Sequence, residues 1–419
     1  MQTWEKNKQY YKFCAYGFLK NLRFFEAFFI LFLISRGLSY TQIGILYAVR
    51  EITINFFEIP SGVIADTFGR KRSLASSFLM YIFSFIIFYT AENFGLFFIA
   101  FILYGIGDAF RSGTHKGMIM DYLKGQGWSD QKISYYGHTR AWSQRGSAIS
   151  ALTAGLILFY HGSYSQIFLF STIPYLVNLL LILSYPRELD RPAPSRGNRL
   201  RAMERTFRAF IVSMKNVRVF KLINQTALHS AYMKAVKDYI QPVMLHVAIL
   251  IPLLPGIARD QQNGLTIGIF YFLIYLFTAL ASQGSEYFLK GKRSSLILTT
   301  LLAGFGFGMA CGIFAELSLW IPALIAFFMI YIIENIRKPI LTGFVADQSK
   351  EEYLTSVLSA QSLLRTVMSA AIAFITGVFA DIFGIGLALL FVSTILALII
   401  LLLYFLAGYA KTKSARPRG

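Results

Sequence analysis

The stretch SGVIADTFGRKRSL, residues 61–74, is a polar island between two apolar runs, ITINFFEIP (52–60) and ASSFLMYIFSFIIFYTA (75–91). Asp66, Arg70, Lys71 and Arg72 crowd together there, punctuated by Gly62 and Gly69. Charges confined to so short a segment, between long apolar runs, read as a tight turn joining two helices at a membrane surface.

The rest of the chain repeats that alternation. Of 419 residues 56% are hydrophobic and only 15% are charged, too few charges for the surface of a soluble protein of this length. Runs such as FFEAFFILFLI (24–34) and LALLFVSTILALIILLLYFLAG (387–408) approach the roughly 20 residues that a bilayer-spanning helix needs. Barrel strands would be about 10 residues long with alternating polarity, which is not the pattern. The sequence therefore predicts an all-α integral membrane protein of about twelve transmembrane helices. The expected spans are 14–36, 41–62, 74–92, 95–118, 140–161, 164–185, 216–249, 264–289, 294–315, 319–341, 355–381 and 384–408. The seventh is too long for a simple crossing and is expected to bend near Pro242 or Pro252. The opening MQTWEKNKQYYK is too polar for a signal peptide. Cys14 and Cys311 form neither a disulfide framework nor a metal set, and no cofactor or metal is expected.

The formal net charge is +19, from 40 basic and 21 acidic residues. The basic residues gather in alternate loops: Lys6, Lys8 and Lys12; Arg70, Lys71 and Arg72; Lys124 and Lys132; Lys290, Lys292 and Arg293; and the tail after Lys411. That alternation is a topology signal. It predicts a multi-pass protein of the inner or plasma membrane with both termini cytoplasmic, whose partners are the lipid bilayer and a small solute rather than nucleic acid. The segment 186–218 is basic, and part of it reads as an amphipathic helix. It divides the chain into an N-terminal half (1–185), a cytoplasmic linker (186–215) and a C-terminal half (216–419), expected to act as a monomer.

The halves echo each other. Gly62-x6-Gly69-Arg70-Lys71 has a degraded copy in Gly284-x6-Gly291-Lys292-Arg293. Asp108-x2-Arg111 followed by Asp121 returns, at identical spacing, as Glu334-x2-Arg337 followed by Asp347. Together they imply an internal duplication, and hence two pseudo-symmetric six-helix bundles, a common plan for secondary transporters.

With these residues in view, GVIADTFGRKRSL resembles the signature loop between the second and third helices of the major facilitator superfamily, Gly-x-x-x-Asp-x-x-Gly-Arg-Lys/Arg. Gly62, Asp66, Gly69, Arg70 and Lys71 match it position by position. The stretches EIPSG, YGIGDAFRSGTHKGMIMDYL and GVFADIFGIGLAL are similar to bacterial members as well. The resemblance implies the major facilitator fold and transport by alternating access, and says little about substrate. Span five, RGSAISALTAGLILF, lacks the Gly-Pro of many drug–proton antiporters, so a multidrug activity is not implied. Asp66 is expected to meet a helix N-terminus or a cation, and Arg70 to reach Asp121, forming a cytoplasmic gate. The plainer alternative is that the basic residues only fix topology.

Ionisable residues inside spans are expensive and therefore candidates for binding or proton coupling. They are Arg23 and Glu26 in span one, beside Lys20; Glu51 and Asn55 in span two, on one face with Glu58; Asp108 and Arg111 in span four, with His115 beyond; Lys234, Lys237 and Asp238 in span seven, after His229; and Glu334 and Arg337 in span ten, before Lys338. The structural alternative is local pairing of Asp108 with Arg111, Glu334 with Arg337, and Lys234 with Asp238. No nucleotide-binding Gly-x4-Gly-Lys-Ser/Thr and no HExxH or Gly-x-Ser-x-Gly pattern occurs, which argues against an ATP-driven pump and against an enzyme. The arginines and lysines suit an organic anion. Glu26, Glu51 and Glu334 suit proton coupling, with Glu26 the first-choice carrier, and would equally suit export of a cationic or amphipathic drug. A receptor that senses without transporting is the reading from another class.

Overall fold

Backbone amides at bilayer depth find no water, so they bond within their own helix and the apolar runs fold as helices. The computed structural model describes residues 5–190, 217–251, 258–283, 293–348 and 351–414, and these are helical almost throughout. In order they form α1 (Lys8–Lys20), α2 (Phe29–Ser35), α3 (Tyr40–Phe68), α4 (Arg70–Thr90), α5 (Phe94–Arg111), α6 (Thr114–Gly125), α7 (Lys132–His161) and α8 (Tyr164–Leu183). There follow α9 (Val217–Val236), α10 (Ile240–Leu250), α11 (Arg259–Gln283), α12 (Arg293–Glu316), α13 (Trp320–Gln348), α14 (Glu351–Phe383) and α15 (Ile385–Ser414). Among the described residues, 8 helical stretches are long and apolar enough to cross a membrane. The protein is a multi-pass integral membrane protein. The stretches outside that set are α1 with α2, α3, α7, and α9 with α10, and each of them carries charged residues along its length. The basic linker segment 191–216 lies outside the described residues, as does the 284–292 copy of the loop motif.

The chain divides into two compact units. The first comprises Met1–Leu38, Val49–Arg199 and Ala248–Leu276; the second comprises Ser39–Ala48, Leu200–Val247 and Phe277–Gly419. In the first, α4 packs on α5 and α8, and α1 packs on α7. In the second, α12 packs on α13 and α15, and α9 packs on α14. Taken in chain order, the neighbour pattern is the same, a structural counterpart of the Asp108/Glu334 echo.

Within the first unit the interior is graded. Phe25, Phe29, Phe32, Phe88, Phe101 and Phe168 form an aromatic cluster, with Phe29 and Phe101 stacked at 5.2 Å. Phe85 joins this cluster to Tyr81, Tyr104 and Tyr175. Tyrosine offers an apolar ring to one side and a hydroxyl to the other, which suits the boundary between an apolar cluster and buried charges. Exposed side chains on α8 and α15, such as Leu169, Ile173, Leu176, Leu180, Leu398, Leu402 and Phe405, recur at helical spacing and form the lipid-facing surface.

The opening motif is less of a loop than expected. Helix α3 runs on to Phe68, so Gly62 and Asp66 lie within it and the turn is Gly69 alone. Gly69 has φ 100°, a conformation that side chains disfavour, and an added Cβ would lie 2.3 Å from Asp190 Oδ1. Helix α4 begins at once with Arg70.

The start of α3 is capped from a distance. Asp381 of α14 accepts hydrogen bonds from Tyr40 N (2.8 Å) and Thr41 N (2.7 Å), all within the second unit. Gly377, one turn before Asp381, allows the approach, since a Cβ there would come within 2.3 Å of Tyr40 O. A carboxylate on the free N–H groups of a helix start satisfies donors that have no helical partner. Asp381→Ala is expected to cost about 1–2 kcal/mol, read as a lower thermal midpoint of the purified protein. Asp381→Asn is expected to retain most of the stability, because its amide oxygen still caps. An alanine variant as stable as the parent would refute the cap.

Candidate functional site

Three expected spans, two of them expected to be continuous and the seventh to bend, are broken where their charges lie. Helix α1 stops at Lys20, where Asn21 Nδ2 donates to Gly17 O at 2.7 Å. Arg23 leaves the helical conformation (φ −97°, ψ 75°), a 3-10 turn covers Phe24–Phe28, and α2 resumes at Phe29. The expected span 95–118 is likewise split, since α5 ends at Arg111 and Gly113 turns at φ 73° before α6. In the seventh span the break is a 3-10 turn over Lys237–Tyr239. The physical reason is Pro242: it has no N–H for the carbonyl of Asp238 four residues back, and its ring crowds that carbonyl. The bend therefore precedes the proline by one turn, and Pro252 lies outside the described residues. Irregular backbone at membrane depth is tolerated where protein or a cavity surrounds it.

In the first unit these breaks bring charges together. Arg111 Nη2 donates to Asp108 Oδ1 at 2.7 Å and Arg111 Nε to Tyr81 Oη at 2.8 Å, while Tyr81 Oη donates to the same carboxylate oxygen. Arg23 Nε donates to Tyr175 Oη at 3.2 Å, and that hydroxyl donates to Lys20 O at 3.1 Å. Arg23 also acts electrostatically on Asp108 and on Glu26. Lys20, Arg23 and Arg111 thus stand against Asp108 and Glu26, three cations to two carboxylates.

Two cavities adjoin this cluster, both inside the first unit. One of about 10 Å³, the space of a single water, is lined by Arg23, Glu26, Asn21, Ser147, Ser150 and Tyr275. The other, about 390 Å³, is bounded by Lys20, His115, Thr139, Arg140, Ser143 and Gln144 among others, and no Asp or Glu lines it. His115 is stacked on Tyr16 at 3.6 Å and lies 3.2 Å from Tyr185 Oη. Helices α1 and α7 meet closely here: a Cβ on Gly146 would lie 2.5 Å from Phe18 O.

The second unit answers the echo with different pairings. Arg337 Nη1 donates to Ile297 O (2.7 Å) and Thr300 Oγ1 (2.6 Å) on α12. Glu334 lies 2.8 Å from His229 Nδ1 and accepts from Ser230 Oγ at 2.7 Å, with His229 and Glu334 both buried. The His229 ring rests on Gly304, where an added Cβ would sit 2.0 Å from Nε2. Asp238 accepts from Tyr47 Oη at 3.0 Å and lies 3.6 Å from Lys237 Nζ.

At the motif end, Arg70 Nη1 pairs with Asp121 within the first unit. Lys71 N donates to Asp190 Oδ1 at 2.9 Å, and Lys71 Nζ to Tyr185 O at 2.8 Å. The Asp66 side chain, and those of Lys338 and Asp347, lie outside the described residues. Glu51 is buried 3.4 Å from Arg50, Asn55 is half-buried and Glu58 is exposed.

Sequence reasoning missed Tyr81, Tyr175, Arg140, Asp190 and Asp381. For Asp381 a signal existed: GVFADIFG (377–384) copies GVIADTFG (62–69) at six of eight positions, a closer match than the one at 284–293. The tyrosines gave none, because 24 tyrosines in an apolar chain read as interface anchors.

A family model described as Major Facilitator Superfamily matches residues 16–235, just over half the chain. A 90-residue stretch, 22% of the chain, is 39% identical to "Uncharacterized MFS-type transporter YxaM" of Bacillus subtilis (strain 168), and spans 23% of that relative. Among solved structures, the nucleoside transporter NupG superimposes with a TM-score of 0.73 at 13% identity, covering 95% of this chain and 99% of that one. A POT family transporter in complex with 5-aminolevulinic acid superimposes with a TM-score of 0.72 at 12% identity, covering 95% and 96%. At such identities the likeness is one of fold.

Tyr81 bridges Arg111 to Asp108, so Tyr81→Phe keeps the ring and removes the bridge. The expected cost is about 1–3 kcal/mol, measured as a lower thermal midpoint. The same change at the exposed Tyr11 is expected to be neutral. Equal effects at the two sites would refute the bridging role.

Proposed function

The chain belongs to the Major Facilitator Superfamily and is a membrane transporter, and we propose that it moves a small organic anion by alternating access, coupled to protons. The observation that carries this reading is the excess of basic over acidic side chains in one half-buried cluster of the first unit: Lys20, Arg23 and Arg111 against Asp108 and Glu26. Buried uncompensated charge is costly, and an anionic cargo supplies the missing compensation. A guanidinium keeps its charge in such surroundings and can grip a carboxylate or phosphate with two N–H groups. A cationic cargo is less well supported, because Glu51 lies beside Arg50 and Glu334 is engaged by His229 and Ser230.

In this reading Glu26, facing a water-sized polar cavity beside Arg23, carries the proton. Gly62, Asp66, Gly69, Arg70, Lys71 and Asp121 form the cytoplasmic gate, with both termini on that side and one chain as the working unit. Arg111 holds Asp108 and Tyr81 in place beside the site. Arg337 positions α12 through Ile297 and Thr300. Lys234 precedes the break in the seventh span, and Lys237 and Asp238 lie in it; the three are the candidate binding residues of the second unit.

Transport by the purified protein in proteoliposomes, screened over organic anions and cations, tests the proposal. Glu26→Gln is expected to abolish uptake driven by a proton gradient while sparing exchange at equal pH. Gradient-driven uptake that survives in this variant would remove Glu26 from the role. Arg111→Lys is expected to weaken binding of the identified anion about tenfold or more, because lysine cannot hold Asp108 and Tyr81 together as the guanidinium does. Unaltered affinity, or accumulation of cations alone, would overturn the anion reading.

A further inference from the structure

We propose that the cavity of about 390 Å³ in the first unit is the seat of the cargo's anionic head, and that this head is a small dianion, a phosphate monoester or a dicarboxylate, on a hydroxyl-bearing body. The inference rests on the organic-anion reading and goes beyond it, placing the head on Lys20 and Arg140 rather than on the Asp108–Arg111 pair.

The case begins with charge. Lys20 from the end of α1 and Arg140 from α7 both line the cavity, and no carboxylate does. Among the described residues neither cation has an ion-pair partner; the recorded neighbour of Lys20 Nζ is the Tyr16 ring, 6.0 Å to its centroid. By contrast the deeper Arg111 is committed to Asp108 and Tyr81. Lys20 is half-buried and Arg140 is exposed on the α7 side of the cavity, so a ligand with two negative charges can pair with both cations at once. The guanidinium fork favours a planar carboxylate or a phosphate face, and the lysine acts as a point charge.

Shape and polarity agree. The volume lies at the lower end of the range for small-molecule sites. One wall is the Tyr16–His115 stack, held in place by Tyr185. His115 is the second residue of α6, so the helix N-terminus, with its unpaired N–H groups and partial positive charge, adjoins the same wall. Thr139, Ser143 and Gln144 occupy the α7 side with hydroxyl and amide groups. Such a lining suits a ligand body rich in hydroxyls better than an apolar one. The break at Asn21 matters too, since it ends α1 beside Lys20.

The test uses the purified full-length transporter and defined probes: inorganic phosphate, phenyl phosphate, succinate, acetate and tetramethylammonium, with affinity measured by calorimetry. Phosphate or succinate is expected to bind at least tenfold more tightly than acetate, and whichever of phenyl phosphate and succinate binds better assigns the head. Lys20→Gln and Arg140→Gln are each expected to weaken the dianion at least tenfold, with Lys20→Arg restoring most of the affinity. A readout without mutation keeps the test independent of folding: acetylation of the Lys20 amine by an N-hydroxysuccinimide ester, followed by mass spectrometry, is expected to slow with phosphate or succinate present and not with tetramethylammonium. Dianion affinity unchanged in both glutamine variants, or no protection of Lys20, overturns the site. If affinity instead falls only in Arg111→Lys, the anion reading stands and this placement falls. If tetramethylammonium alone binds the parent protein, both fall.

Discussion

An ionised group within a lipid-facing bundle has to be met by a partner, and that constraint shapes the first unit. Asp108 and Arg111 lie in a chain that is apolar on either side, and Tyr81 ties them into one hydrogen-bonded set. Satisfying Arg23 takes a second tyrosine, Tyr175, whose hydroxyl in turn holds the carbonyl of Lys20 at the end of α1. The ends of α1 and α5, the tyrosines and the two cavities all gather around these groups. The phenylalanine cluster on one side supplies packing, and the tyrosines pass from packing to polarity within a single side chain.

The sequence states this constraint in outline. Run length and the alternation of basic loops suffice for a membrane protein of long helices, and the Asp108/Glu334 echo anticipates the repeated neighbour pattern of the two units. What it hides is backbone geometry. The end of α1 depends on one amide side chain, Asn21, turning back to Gly17, and no periodicity reveals that. The break after Arg111 was more visible, since Ser112-Gly113 interrupts the run. The motif's turn was misjudged in the other direction: Gly62 looked like a turn residue but sits inside α3, and Gly69 alone has the positive φ that demands glycine.

The repeat has also diverged in chemistry. Both arginines reach a hydroxyl on the helix packed beside their own, Arg111 to Tyr81 and Arg337 to Thr300. Their acids differ. Asp108 is tied to arginine, whose charge is fixed, whereas Glu334 is tied to His229, whose charge is not. The same neighbour pattern thus holds an arginine–carboxylate pair in one unit and a histidine–carboxylate pair in the other.

The octapeptide shared by residues 62–69 and 377–384 gives the proposed gate a physical template. At the second copy three of the six shared letters have a visible duty. Gly377 admits the backbone of Tyr40, Asp381 takes the two N–H groups of the helix start, and Gly384 turns the chain at φ 86°. The first copy keeps all three letters, and Gly69 makes the same kind of turn at φ 100°. A carboxylate one turn after a close-approach glycine and three residues before a turning glycine is a device for holding a helix N-terminus. Such a hold is strong enough to order a helix end yet rests on two exposed hydrogen bonds, so it can be broken and remade without disturbing a core. That is the property a gate residue needs, and it is the physical ground for assigning the role to Asp66 rather than to the neighbouring basic residues, whose charge alone already accounts for their place at the membrane surface.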